Sequence, residues 1–459
     1  MNKNGYWEDE SPPLLIFINI CINKEKMAER ATGGIGFWPA AALVAGNMIG
    51  SGIFLLPAAL SAFGGYSLIG WGVSTAGAIL LALTFAALSR RRPLTGGPYA
   101  YTREAFGPFS GFLVAWGYWI SLWSGNAAIA VAFIASLTPF FSVLGKVPAL
   151  AAGCCIASVW FATWLNLRGV KEASYFQLVT TILRLAPILL VATVGFYHFD
   201  AANLSVAHVQ VGWLEAALQT AALTLWSFLG IESATVPAGD IRNPEKNIAR
   251  ATIAGTIFSA IVFVAASTAV LGAIAPGQLE QASAPFALAA GQMWGDAGYY
   301  LVAGAAAIAC LGALNGWILL QGQIPWAAAV DGLFPRWFGH KNSRGAPDTA
   351  LIVSSVLITV MVVFNYSKTL QQQFQQMILL ATLSSLIPYL FCAIAAPVLA
   401  RKGDFRRLQG KHRHVYLLAA FTTLFSIAAI IGTGWLTVAY GLALLAAGIP
   451  VYFFMVNKK

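Results

Sequence analysis

The chain has 459 residues, of which 58% are hydrophobic and only 10% charged, against roughly 25% charged in an average soluble domain. Apolar runs long enough to cross a bilayer core of about 30 Å as helices recur along nearly the whole length, which excludes a sizeable soluble domain. The net charge of +10 would suit a nucleic acid, but the basic residues lie dispersed in the segments between apolar runs, so no nucleic-acid partner is implied.

In chain order, residues 1–33 read as a cytoplasmic N-terminal tail. Its apolar run Leu14 to Ile22 is too short to span and lacks a small-residue cleavage site after a basic start, so it does not read as a convincing signal peptide. Met27 opens a tidier beginning, and residues 1–26 read as a tail or an overlong start assignment. Twelve spans are predicted: Gly36–Leu60, Ser67–Ser89, Phe109–Phe140, Val147–Leu167, Ser174–Tyr197, Leu214–Gly239, Ala251–Ala275, Ala297–Gly322, Thr349–Tyr366, Gln371–Ala400, Val415–Trp435 and Leu436–Val456. They make residues 34–456 one transport-sized domain: helices one to five over 36–197, six to ten over 214–400, eleven and twelve over 415–456, and a short end at 457–459.

Helix one is interrupted by Gly50-Ser51-Gly52, and helix six by Trp226-Ser227-Phe228-Leu229-Gly230-Ile231-Glu232. Each glycine costs a helix roughly 1 kcal/mol relative to alanine. Backbone groups freed in hydrocarbon are tolerated only where they line a cavity or are buried in protein. The two breaks begin the two halves of a five-plus-five arrangement, and matched broken helices point to a transporter site at a repeat interface. Helix packing through small residues is the competing explanation for either motif taken singly. The N–H groups freed at Gly50–Gly52, with the positive end of the following half-helix, suit a carboxylate. Carbonyls freed near Trp226–Leu229 suit an ammonium.

Two ionisable residues fall inside spans, Arg184 in helix five and Glu232 in helix six, and intramembrane charges are functional candidates by default. Glu232 is the one carboxylate there that a proton switch could use; a permanently bonded clamp between helices is the equal alternative. All five histidines lie between spans, which argues against a histidine relay, and the five cysteines show neither metal spacing nor a disulfide framework. No metal and no cofactor is expected. With the amino terminus inside, 24 of the 27 Lys and Arg residues fall on the inner side, only Lys146 and Lys368 fall outside, and Arg184 lies within a span. The positive-inside rule then puts both termini in the cytoplasm. A channel lacks its charged ring or pore loop here. An enzyme lacks a metal cluster, a nucleotide loop or a nucleophile–base pair.

These motifs resemble the amino acid–polyamine–organocation superfamily, within it the basic amino acid/polyamine antiporters, and especially the arginine/agmatine type. The resemblance rests on Gly46–Pro57, Gly96–Tyr101, Tyr118-Trp119, Gly125-Asn126, Leu225–Ser233, Asn243-Pro244, Asn315-Gly316-Trp317, Asp331–Pro335 and Pro388-Tyr389. It implies an all-α integral membrane fold of twelve transmembrane helices. Helices one to ten form a five-plus-five inverted repeat with helices one and six discontinuous, and two extra helices follow at the C-terminus. It further implies alternating-access exchange of an amino acid for a related amino acid or its decarboxylated amine in a bacterial inner membrane. Sodium-independent uptake of neutral amino acids, with or without proton coupling, is the alternative, and a channel or membrane receptor ranks below both.

Carried over from that resemblance, Ser51 and Gly52 hold the substrate carboxylate, and the carbonyls of Met48, Trp226 and Leu229 receive the α-amino group. Trp226 also gates, Trp317 stacks on the substrate stem, and Ser121, Asn126, Ile129 and Ala381 line the distal pocket. Tyr118, Glu232 and Tyr389 form an inner gate with Tyr99 in support, and Arg184 bridges helix five to the break in helix one, where a fixed cation disfavours sodium coupling. Ordinary packing is the competing reading for every aromatic among them. Leu122 and Ala381 stand where the arginine/agmatine type has cysteine and serine, so this pocket is less polar around the side-chain end and suits arginine poorly. Membrane lipid is an expected partner. Arginine/agmatine relatives pair, which allows a homodimer, although no segment identifies a dimer surface.

Overall fold

The computed structural model describes residues 36–50, 52–91, 93–94, 96–168, 186–206, 209, 211–236, 238–402 and 412–456. The architecture is helical. Helices α1 (Phe37–Met48) and α2 (Gly52–Ser61) meet at a bend of 43° and together are long and apolar enough for one span. They are followed by α3 (Tyr66–Arg91), the short α4 (Pro98–Phe106), α5 (Pro108–Leu137), α6 (Pro148–Leu167) and α7 (Ala186–His198). The second half holds α8 (Trp213–Leu225), α9 (Pro244–Ala273), α10 (Pro285–Val330), α11 (Asp348–Asn365), α12 (Leu370–Lys402), α13 (His412–Gly432) and α14 (Trp435–Val456). Among the described residues, ten helices are long and apolar enough to cross a membrane, or eleven when the bent pair counts as one span. This is a multi-pass membrane protein.

Several boundaries follow from local chemistry. Proline opens α4, α5, α6, α9 and α10 at the first turn, where its missing N–H would have no partner anyway and its fixed φ suits a helix. The run α10 is two helices that meet at a kink at Gly295, where φ +68° and ψ −162° are not helical, so its second part starts close to the expected Ala297. Only the end of the expected fifth span lies among the described residues; Arg184 and Ser51 lie outside them.

Burial ranks the helices. Helix α5 is apolar all round and nearly wholly buried, packing most extensively against α10 and α12, as expected of a central helix. Helix α14 is the least buried of the long helices and packs against α5 and α12. Helix α1 packs against α9 and against the 3-10 turn at Ile231–Ala234. The two interruptions therefore meet in the interior beside α5.

Candidate functional site

Helix α1 ends at Met48, and the chain turns through Ile49 and Gly50, whose N–H donates to Met48 O at 2.8 Å. Helix α2 then starts at Gly52. Its first N–H groups have no partner within the helix, which makes this terminus a seat for negative charge. Helix α8 ends at Leu225, and two 3-10 turns follow, Trp226–Phe228 and Ile231–Ala234, separated by Gly230 at φ +105°. Only glycine takes that conformation cheaply. A Cβ at Gly230 would also come within 3.3 Å of the Asn47 Cβ. At the same point Asn47 Nδ2 donates to Ser233 Oγ at 2.8 Å, so the two breaks are tied directly to each other.

Between them lies a cavity of about 30 Å³ lined by Asn47, Met48, Gly50, Tyr118, Ser121, Leu122, Gly125, Asn126, Ile129, Trp226, Ser227, Leu229, Glu232, Trp317 and Ser385. That is room for about two waters. Three of its walls carry polar atoms that are buried and without a partner in the protein: Asn126 Oδ1, Trp226 Nε1 and Ser227 Oγ. Leaving such a group unpaired costs about 1–3 kcal/mol. The Trp226 indole lies over Gly125, where a Cβ would stand 2.9 Å from its Cη2. Glycine on α5 is what lets the ring lie there.

The cavity lining includes a buried carboxylate. Glu232 is 1% exposed. Its Oε1 accepts from the Tyr118 hydroxyl and its Oε2 from the Tyr389 hydroxyl, the latter at 2.5 Å. Beside it Ser121 and Ser385 share a hydrogen bond of 2.5 Å between α5 and α12. The Tyr118–Glu232–Tyr389 bridge thus joins α5, the broken helix and α12.

Of the residues singled out from the sequence, Met48, Tyr118, Ser121, Asn126, Ile129, Trp226, Leu229, Glu232 and Trp317 line the cavity. Ser51 lies outside the described residues, and Gly52 heads α2 at the break. The Met48 and Trp226 carbonyls already accept the N–H groups of Gly50 and Leu229; each keeps a second lone pair. Ala381 is fully buried behind Gly125 and is not part of the wall. Tyr389 reaches the cavity only through Glu232.

Tyr99 stands apart. Its hydroxyl donates to Asp331 Oδ2 at 3.3 Å, and Arg103 Nη1 pairs with the same oxygen at 3.2 Å. This joins α4 to the end of α10 rather than reaching Glu232. Burial, then the Asp331 charge and the bond to it, push the Tyr99 phenol well above its ordinary range. It therefore stays a donor at neutral pH. The Arg103–Asp331 pair is partly exposed and contributes at most about 1 kcal/mol.

Four participants were not assigned roles from the sequence: Asn47, Ser227, Gln321 and Ser385. Asn47 and Ser227 sit inside the two interrupted motifs. Gln321 follows Trp317 by one helical turn, and Ser385 precedes Tyr389 by one turn, so each shares a face with a residue already chosen. That spacing was the available signal.

Comparison with known proteins agrees with this architecture. Residues 35–456 match the amino acid permease family. The chain is 36% identical over 370 residues to the cadaverine/lysine antiporter of Escherichia coli K12, covering 78% of this chain and 82% of that one. It is 32% identical over 460 residues to a putative arginine/ornithine antiporter of Bacillus subtilis 168, covering 92% and 97% respectively. It is also 29% identical over 415 residues to the putrescine transporter PotE of Haemophilus influenzae, covering 90% and 94%. On the match over nearly its whole length, the chain belongs to the amino acid permease family of the amino acid–polyamine–organocation superfamily, among its basic amino acid and polyamine antiporters.

Proposed function

We propose that this protein exchanges an amine-bearing amino acid for a related amino acid or its decarboxylated amine by alternating access. The site is the cavity between the two helix breaks. The observation that carries this reading is the set of buried, unpartnered polar atoms, Asn126 Oδ1, Trp226 Nε1 and Ser227 Oγ, in the wall of that cavity. The head of α2 offers N–H groups to a carboxylate, the turn at Trp226–Leu229 offers carbonyls to the α-amino group, and the Trp317 ring flanks the stem, a contact worth about 0.5–2 kcal/mol with a cation. Glu232 is the one carboxylate in the wall. Leu122 is unsuited to a guanidinium fork, so lysine- or ornithine-like substrates and their diamines fit better than arginine and agmatine.

On this reading the chain makes twelve spans, a five-plus-five inverted repeat plus two helices, in a bacterial inner membrane with both termini in the cytoplasm. Tyr118, Glu232 and Tyr389 then form a gate on the cytoplasmic side, with Tyr99, Arg103 and Asp331 nearer that surface. The test is counterflow in proteoliposomes. Internal lysine should accelerate entry of labelled lysine or cadaverine, and uptake indifferent to internal substrate would overturn exchange. The apolar wall of Leu122 and Ile129 supports a second reading, sodium-independent uptake of neutral amino acids. Leucine accumulating under a proton gradient, with lysine neither carried nor competing, would favour it.

A further inference from the structure

Asn126 does not face the cavity freely: its amide is held from behind by a chain of side chains reaching across four helices. Asn126 Nδ2 contacts Gln321 Oε1 at 2.7 Å, Gln321 Nε2 contacts Ser355 Oγ at 3.2 Å, and Ser355 Oγ contacts Thr163 Oγ1 at 2.7 Å. Thr163 Oγ1 contacts the Val159 carbonyl at 2.8 Å. All four side chains are fully buried.

The direction of the chain follows from its protons. A carbonyl only accepts, so Thr163 donates to Val159 O and has no proton left for Ser355. Ser355 must therefore donate to Thr163, and with its own proton committed it can only accept from Gln321. Gln321 turns its Nε2 toward Ser355, which leaves its Oε1 toward Asn126, and Asn126 must then donate its Nδ2. The one hydrogen-bonding atom of Asn126 left uncommitted is Oδ1, a buried acceptor without a partner on a residue that lines the cavity. Reversing the chain forfeits the bond to Val159 and makes three hydrogen bonds where the observed direction makes four.

We infer that Thr163, Ser355 and Gln321 are positioning residues that lock Asn126 as a hydrogen-bond acceptor, so that this wall selects a substrate group that donates, an ammonium, over an apolar or carboxylate-bearing end. This rests on the transport reading above and adds to it a source of specificity outside the cavity. Neither Thr163 nor Ser355 touches the cavity.

The experiment measures binding of L-lysine and of L-norleucine, which lacks the terminal amine, to purified protein by calorimetry. Wild type should prefer lysine. Thr163→Val removes the acceptor that commits Ser355, the chain can then reverse, and the preference should fall about tenfold, the scale of one hydrogen bond to a charged group. Thr163→Ser should restore it to within about twofold, as one retained hydroxyl demands, and Ser355→Ala provides a second break should Thr163→Val fold poorly. An unchanged preference in Thr163→Val and Ser355→Ala overturns the inference and leaves the transport reading standing. Equal wild-type affinity for the two ligands does the same. If wild type binds neither, the transport reading falls and the inference falls with it.

Discussion

Removing the Tyr389 hydroxyl should loosen the proposed gate at Glu232 by a predictable amount. Tyr389→Phe keeps the ring, which packs edge-on against Phe85 at 5.6 Å, and deletes only the donor to Glu232 Oε2. The carboxylate, 1% exposed, then keeps one phenol, Tyr118. A hydrogen bond to a charged group contributes about 1.5–3 kcal/mol, so the closed arrangement should lose about 10- to 150-fold in population relative to one in which water can replace the hydroxyl. The assay places a cysteine at Ser385 in a background lacking Cys21 and Cys154, once with Tyr389 intact and once with Tyr389→Phe, and applies a membrane-impermeant thiol reagent from the cytoplasmic face. Any disturbance of the Ser121–Ser385 bond is common to both. Labelling should quicken about tenfold or more in Tyr389→Phe, the lower end of that range. An equal or slower rate would refute a gate held shut by these bonds.

Other outcomes follow from the same geometry. Glu232→Gln places an amide donor against two phenols that now donate to a carboxylate, and the dependence of counterflow on pH should flatten; an equal loss at every pH, with the profile kept, would make Glu232 a fixed clamp. Trp317→Leu should weaken lysine binding in calorimetry by about 0.5–2 kcal/mol, whereas Trp160→Leu, at an exposed indole bonded to Thr359, should leave it unchanged; equal losses return Trp317 to packing. Gly230→Ala forces a side chain into φ +105° at a cost of about 1–3 kcal/mol and against Asn47, so transport should fall more than expression; full activity would mean that the turn between the breaks is not needed.

Much of the architecture was legible because hydrocarbon leaves the sequence little freedom. Apolar runs marked the spans, and glycine with polar residues at 50–52 and 226–232 marked where helices could not continue. The pairing of Asn47 with Ser233 was not legible, since nothing local to either residue says that two breaks 186 positions apart touch. The same holds for Gln321, Ser355 and Thr163. A buried amide or hydroxyl in an apolar helix can bond back to its own helix or across to another, and only the packed bundle decides which. The bond from the Tyr99 hydroxyl to Asp331, 232 positions away, is a further pairing that motif position alone does not give.

The cavity's size has a kinetic corollary. A space fit for about two waters cannot admit an amino acid unless side chains that line it retreat. Measured affinities will then understate the strength of the contacts by the fraction of molecules already expanded. Ligands that differ little at equilibrium can still differ widely in how often they succeed in prising the walls apart.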